Sequence, residues 1–287
     1  ETLPNPYLRV FPIKEVADIG RKHNIPLIMD NTASPVICKP LEHGAAVVVH
    51  SLTKFIGGHG TVIGGCLVDG GNFDWTADPK RQPLFNEPDM SYGGAKWGEV
   101  VPQLTGANVS FAIRARVCLL RDLGAPLAPD NAWGIIQGLE TAPLRMKQHC
   151  SNAEKAVDFL KKHKNVDRVI YPTLHEGEIA ARSKKYFKGG NGALVGIEVK
   201  GGVEAGKKFI ESLKMFYHVA NIGDARSLAI HPATTTHSQL TEEELLAAGV
   251  TPGYVRLSIG IEHPDDIIAD LNQALNQSGK PNLKAVG

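Results

Sequence analysis

Two short polar segments, each placed directly after an apolar run, contain the residue types that could carry out chemistry. Asp-Asn-Thr at 30–32 follows the apolar run 25–29, and Ser-Leu-Thr-Lys at 51–54 follows the apolar run 45–49. Apolar runs of this length favour buried strands. Because ligands in open α/β sheets collect at the carboxyl ends of the strands, both segments are predicted to face one crevice if the two strands are parallel.

Lys54 is the residue in these segments whose side chain can act as a nucleophilic amine. An amine at a strand end, beside the hydroxyls of Ser51 and Thr53 and the glycine-rich run 57–60, is a candidate for forming a Schiff base with a carbonyl compound. A nearby acid such as Asp30 can pair with the ring nitrogen of pyridoxal phosphate (PLP). PLP chemistry at this edge of the sheet is therefore one hypothesis.

Each of these residues also has an ordinary structural interpretation. A single lysine is most often a solvated surface charge, and Asp30 could equally cap the turn at the end of its strand. Ser51 and Thr53 could cap a turn as well. The run 57–60 could be a flexible loop, or a phosphate-binding nest without lysine chemistry. Residue types and spacing alone leave these alternatives open.

Composition and charge limit the expected partners. The 31 basic and 30 acidic residues give a net charge of +1, so we expect no nucleic-acid partner. No apolar run approaches the roughly 20 residues of a membrane helix, and no signal peptide is visible, so we expect no membrane partner. The 4 cysteines are dispersed, which indicates reduced thiols in a cytoplasmic protein. Neither cysteines nor histidines have metal-ligand spacing, so we predict no metal.

Apolar runs and helical stripes alternate along the chain, which predicts an α/β fold. We place a domain boundary near residue 145, with a larger domain at 1–145 built on a mostly parallel sheet and a smaller α/β domain at 146–287. The predicted strands are 25–29, 45–49, 61–68, 166–171, 194–199, 228–230 and 255–261. The predicted helices are 13–23, 105–123, one or two within 128–163 with a break or kink at Pro143, 203–215, 241–248 with a capping box at its start, and 264–276.

The stretch 26–65, PLIMDNTASPVICKPLEHGAAVVVHSLTKFIGGHGTVIGG, resembles the Cys/Met-metabolism family of PLP-dependent enzymes. The S-x-T-K and D-N-T motifs occur together at the separation that this family shows. The run GGHGT and the insertion DGGNFDW are similar to the O-acetylhomoserine sulfhydrylase branch, and GDARSLAIHPATTTH and YVRLSIGIEH also resemble the family. The resemblance implies an aspartate-aminotransferase-like fold of type I for essentially the whole chain.

The resemblance also implies a role for individual residues. Lys54 matches the lysine that forms the Schiff base with PLP, and Asp30 matches the acid that faces the ring nitrogen. Further cofactor-binding residues implied by the resemblance are Asn5 at the phenolic oxygen, Ser51 and Thr53 at the phosphate, and Thr32. Arg256 matches the arginine that binds the substrate α-carboxylate, and Ser227 lies in the segment that assists it. The planar guanidinium suits a carboxylate because it donates two parallel hydrogen bonds.

The implied reaction is a γ-replacement in methionine and cysteine biosynthesis. O-Acetyl-L-homoserine and sulfide, or a thiol, would give L-homocysteine, or a thioether, and acetate, with Lys54 moving protons at Cα and Cβ. Alternatives within the class are cystathionine γ-synthase, cystathionine γ-lyase or methionine γ-lyase activity, and substrates such as O-succinylhomoserine or O-acetylserine. Alternatives outside it are an inactive fragment and a phosphate-binding module without PLP.

The chain begins at Glu1, inside what resembles a loop, so we expect a fragment or a processed product. In the family, the segment before Asn5 supplies a glycine-rich helix N-terminus for the phosphate, a tyrosine on the ring and an arm to the neighbouring subunit. A helix N-terminus is a strong anion site. We therefore expect this chain alone to bind PLP poorly and to be inactive, and the full-length form to be an active homotetramer.

Overall fold

A three-stranded sheet near the start of the chain positions both polar segments. The computed structural model describes residues 1–279, and this sheet consists of β1 (Ile28–Asp30), β2 (Val47–Ser51) and β3 (Gly65–Asp69). β1 runs parallel to β2 with Asp30 beside Val49, and β2 runs antiparallel to β3. Because β1 and β2 are parallel, the polar segments at their carboxyl ends lie at the same edge of the sheet. The prediction of a mostly parallel sheet is wrong for these three strands, because the loop after β2 returns β3 antiparallel.

The second sheet carries the C-terminal half of the chain. Its order is β4-β5-β8-β7-β6, and its strands are β4 (Val166–Ile170), β5 (Leu194–Val199), β6 (Tyr217–His218), β7 (Leu228–Ile230) and β8 (Tyr254–Ser258). β5, β7 and β8 are apolar and largely buried, and β8 lies antiparallel between β5 and β7. This sheet packs against helices over an apolar core, as the alternating pattern predicts.

The α-helices agree with the prediction at most positions. They are α1 (Ile13–Lys22), α2 (Pro83–Asn86), α3 (Trp97–Thr105), α4 (Ser110–Arg114), α5 (Arg121–Leu123), α6 (Pro129–Leu160), α7 (Gly177–Tyr186), α8 (Gly202–Ser212), α9 (Glu242–Ala247) and α10 (Pro264–Ser278). A π-helical segment, Ala115–Leu120, joins α4 to α5. The predicted capping box of α9, Thr241 with Glu244, is confirmed. No helix among residues 1–279 combines the length and the apolar character that a bilayer crossing needs.

Of the two alternatives at Pro143, the break is wrong, because α6 continues through the proline as a single helix, and the kink stays a prediction. Ala142 and Met146, on either side of the proline, are buried, and the C-terminal part of α6 is buried against the second sheet. Packing of the buried residues from Ile135 to Leu160 therefore outweighs the lost N–H donor. The predicted boundary at residue 145 falls inside this helix and remains a prediction.

Further elements differ from the sequence prediction, and α2 and β6 were not predicted. The predicted helix 105–123 is divided, since α3 ends at Gly106, which has φ +70°, and a new helix begins at Ser110. Helix α7 was not predicted, because only Ser183 and Tyr186 of its residues are buried and no apolar stripe marks it.

Candidate active site

Backbone and side-chain hydrogen bonds join the two polar segments at the carboxyl ends of β1 and β2. The N–H of Asn31 donates to the carbonyl of Val49 at 3.0 Å. The N–H of Ser51 donates to Oγ1 of Thr32, and the N–H of Thr32 donates to Oδ1 of Asp30, both at 2.8 Å. Thr32 therefore connects the segment that carries the acid to the segment that carries the lysine.

Lys54 lies in the turn that follows β2. Its carbonyl accepts from the N–H of Gly58 at 2.7 Å, which closes the turn. Its Nζ donates to Oδ1 of Asn221 at 2.5 Å. Partial burial and, to a smaller extent, the charge of Arg256 lower the pKa of Lys54 below its ordinary value. Both effects favour the neutral amine, which is the form that attacks a carbonyl carbon.

Arg256, on the central strand β8, lies on the same side of the molecule as Lys54. Its Nη2 donates to the backbone carbonyl of Asn221 at 3.2 Å, and its Nη1 donates to Oδ1 of Asn5 at 3.3 Å. Burial lowers the pKa of Arg256, but an arginine remains charged. The structure thus brings together Lys54, Arg256 and Asn5, three of the residues assigned by resemblance.

Asn221 is the functional candidate that sequence reasoning missed. It binds the amine of Lys54 through its side chain and the guanidinium of Arg256 through its backbone. It lies just outside the segment GDARSLAIHPATTTH, two residues before the glycine with which that segment begins. In the sequence, only its closeness to that segment could have indicated Asn221, and the residue predicted from that segment was Ser227.

Thr53 and Ser227 use their hydroxyls inside the fold. Oγ1 of Thr53 donates to the carbonyl of Gly64 at 3.3 Å and accepts from its N–H at 3.1 Å. Ser227 is fully buried, and its Oγ donates to Oε2 of Glu262 at 2.9 Å and accepts from the N–H of Gly260 at 2.9 Å. The predicted contacts of these hydroxyls with a phosphate and with a substrate stay predictions.

The remaining groups at the strand edge fit a cofactor with a ring nitrogen and an aldehyde. One carboxylate oxygen of Asp30 accepts from the backbone, and within residues 1–279 no hydrogen bond occupies the other. Burial lowers the pKa of the adjacent His50, an effect that the charge of Asp30 partly offsets, and Nδ1 of His50 is buried without a partner. Asp30 can therefore receive a protonated ring nitrogen.

A cavity of about 710 Å³ opens beside the end of β2. It is lined by Val49, His50, Ser51, Gly65, Cys66, Leu67, Ala112, Ile113, Ala115, Arg116 and Leu120. Its volume lies within the range of small-molecule sites. Lys54 and Asp30 do not line it, so it adjoins the lysine site rather than containing it. Among the described residues, no group of three or more His, Cys, Asp or Glu side chains is arranged to hold a metal ion.

Fold and site together define a class of protein. Residues 1–276 match the family described as Cys/Met metabolism PLP-dependent enzyme. The chain belongs to this family, and the resemblance noted in the sequence is confirmed.

Curated relatives of this chain include several O-acetyl-L-homoserine sulfhydrylases. The chain is 52% identical over 280 residues to the O-acetyl-L-homoserine sulfhydrylase of Leptospira meyeri, covering 96% of this chain and 63% of the relative. It is 45% identical over 277 residues to O-acetyl-L-homoserine sulfhydrylase 1 of Thermus thermophilus, covering 96% of this chain and 64% of the relative. The chain therefore spans slightly less than two thirds of the length of these relatives.

Solved structures confirm the predicted PLP-dependent transferase fold. A putative O-acetylhomoserine (thiol)-lyase of Campylobacter jejuni, which carries an N'-pyridoxyl-lysine-5'-monophosphate, superimposes with a TM-score of 0.86 at 42% identity. That match covers 96% of this chain and 64% of the other. A cystathionine γ-synthase of Xanthomonas oryzae pv. oryzae superimposes with a TM-score of 0.75 at 31% identity, covering 97% and 62%.

Proposed function

We propose that this chain carries the lysine and the carboxylate-binding arginine of a PLP-dependent γ-replacement enzyme. Its substrates are O-acetyl-L-homoserine and sulfide or a thiol, and its products are L-homocysteine or a thioether and acetate. The observation that carries the proposal is the contact of Lys54 and Arg256 through Asn221, at the strand edge that also holds Asp30. The names of the curated relatives support this choice of substrate.

The residues of this chain divide the work of the reaction. PLP, when bound, supplies an electron-poor ring that stabilises negative charge at the substrate Cα. Asp30 holds the ring nitrogen protonated by charge pairing. Arg256 binds the substrate α-carboxylate and fixes its orientation. Lys54 accepts and returns protons at Cα and Cβ, and the lowering of its pKa by burial increases the share of the neutral amine that this task needs.

The cofactor contacts of Asn5, Thr32, Ser51 and Thr53 and the substrate contact of Ser227 belong to the same proposal. A cytoplasmic location, a homotetrameric assembly and the absence of nucleic-acid and membrane partners are proposals as well. They follow from the resemblance and from the composition.

Product analysis on a form of the protein that spans the full length of the relatives tests the proposed reaction. That form, supplied with PLP, O-acetyl-L-homoserine and sulfide, should release homocysteine and acetate in equal amounts, and Lys54→Ala should abolish both. Release of 2-oxobutyrate and ammonia without homocysteine would assign the enzyme to the γ-lyases. Turnover with O-succinylhomoserine and cysteine in place of these substrates would favour the cystathionine γ-synthase alternative. Full activity of Lys54→Ala would refute the lysine assignment.

A further inference from the structure

Arg145, on α6, is an almost fully buried cation whose hydrogen bonds all go to neutral oxygens. Only 5% of the residue is exposed. Its Nε donates to Oγ1 of Thr141 at 3.2 Å, and its Nη2 donates to the carbonyl of Gly138 at 2.6 Å. In the part of the chain that the structure describes, no carboxylate pairs with it, and burial lowers its pKa. A buried guanidinium is unfavourable unless its donors are well used.

Two further bonds of Arg145 go to the residues directly after Lys54. Nη1 donates to the carbonyl of Phe55 at 2.6 Å, and Nη2 donates to the carbonyl of Ile56 at 2.8 Å. The turn closes between Lys54 and Gly58, so these carbonyls point out of its end without backbone partners. Arg145 satisfies them as a basic side chain does at a helix C-terminus.

The space around this contact leaves no room for another side chain. Gly58 has φ +75°, and a Cβ atom there would overlap Nη1 of Arg145. A Cβ atom at Gly138 would overlap the carbonyl oxygen of Gly57. The lysine turn therefore packs backbone to backbone on α6, with the guanidinium between them.

The opposite side of the turn is held by the segment that contains Asn221. The N–H of Ala225 donates to the carbonyl of Gly58 at 2.7 Å. A Cβ atom at Gly223, where φ is +74°, would overlap the backbone of Phe55. The turn thus lies between this segment and α6, and Arg145 is its polar contact on the α6 side.

We propose that Arg145 is a positioning residue for Lys54, fixing the turn so that the amine stays beside Asn221 and Arg256. This inference rests on the proposed function of Lys54. The planar guanidinium suits the task because its two Nη atoms reach two carbonyls of the turn while Nε and Nη2 stay bonded to α6. The charge has no other partner that would explain its burial in the described part of the chain.

Two measurements on Arg145→Gln and Arg145→Lys test this role. Hydrogen exchange of peptides covering 55–60 should be at least about tenfold faster, since bonds from a charged donor to the turn are lost. The extent of reductive methylation of Lys54 is measured by peptide mapping at a series of pH values. In the variants it should rise at a higher pH than in the wild type, because the amine leaves its partly buried position. Arg145→Lys should give the smaller change, because it keeps the charge and part of the bonding.

Asn152→Ala is the matched control, because Asn152 is also buried on α6 and donates to the carbonyls of Gly260 and Glu262 instead. It should leave Lys54 methylation and exchange at 55–60 unchanged. Arg145 variants that fold and match the wild type in both measurements would overturn the inference, as would an equal response of Asn152→Ala. If Arg145→Gln does not fold, Arg145→Lys decides by the same criteria.

The role of Lys54 itself is checked separately. Wild-type protein in the form that spans the full length of the relatives, treated with PLP and borohydride, should carry the label at Lys54. A missing label would refute the proposed function, whatever the exchange rates of the Arg145 variants.

Discussion

Gly138 of α6 contacts the turn that carries Lys54. The substitution Gly138→Ala should destabilise the protein, although alanine favours helices. A Cβ atom at Gly138 would overlap the carbonyl oxygen of Gly57 and lie 2.7 Å from that of Ile56. These are backbone atoms, held by Arg145 and by the closure of the turn. They cannot rotate away as a side-chain tip can, so Gly138→Ala must push the turn off the helix.

Gly134, one helical turn earlier, provides the matched control. A Cβ atom there would lie 2.7 Å from Cγ1 of Val62, which can move with its side chain. Glycine to alanine in a helix interior gains about 1 kcal/mol. Overpacking against backbone costs about 3 kcal/mol, at the upper end of the usual range. Gly138→Ala should therefore lower the free energy of unfolding by about 2 kcal/mol, and Gly134→Ala should change it by less than about 1 kcal/mol.

Urea denaturation followed by circular dichroism measures both values, and a melting temperature lowered by roughly 5 °C for Gly138→Ala should accompany them. Gly138→Ala should also accelerate exchange at 55–60, because the displaced turn loses its bonds to Arg145. Equal stability of the two variants, or a Gly138→Ala protein more stable than the wild type, would show that the turn does not press on α6.

Three further predictions concern single side chains. Asn221→Ala should lower kcat/KM of the holoenzyme roughly threefold to tenfold, because a hydrogen bond to the neutral amine of Lys54 contributes about 0.5–1.5 kcal/mol. Its melting temperature should stay near that of the wild type, and an unchanged kcat/KM would exclude a role at Lys54. Ser227→Ala should lower the free energy of unfolding by about 1–3 kcal/mol in urea titrations, because it leaves the carboxylate of Glu262 short of a donor inside the fold; an unaltered midpoint would contradict this. Glu15 has its pKa lowered to about 2 by hydrogen bonds to the lysine and then the tyrosine at the end of α7. Since the folded pKa is the lower one, that stabilisation is present above the unfolded pKa of about 4.5 and is lost as pH falls towards 2. Glu15→Gln should therefore be less stable than the wild type at pH 6 and equally stable near pH 2, and a gap that persists at low pH would argue against the ion pair.

The strand-end motifs could be predicted from the sequence because their signal is local. Apolar runs that end in Asp-Asn-Thr and Ser-Leu-Thr-Lys indicate two buried strands, and the structure confirms that these are parallel and end together. The capping box of α9 and the strand 228–230 are equally local, and both are confirmed. Such features depend on neighbours a few positions away, so one sequence suffices to predict them.

The sequence by itself therefore determined the α/β class and the family and predicted a role for Lys54, whereas only the tertiary structure determined what surrounds Lys54. The bond from Lys54 to Asn221 joins residues 167 positions apart, and the bonds from Arg145 reach back 90 positions to the same turn. The unbroken α6 and the mixed first sheet also depended on packing. Contacts of this kind form only when distant segments bury surface against each other, and side-chain periodicity contains no information on which segments will meet.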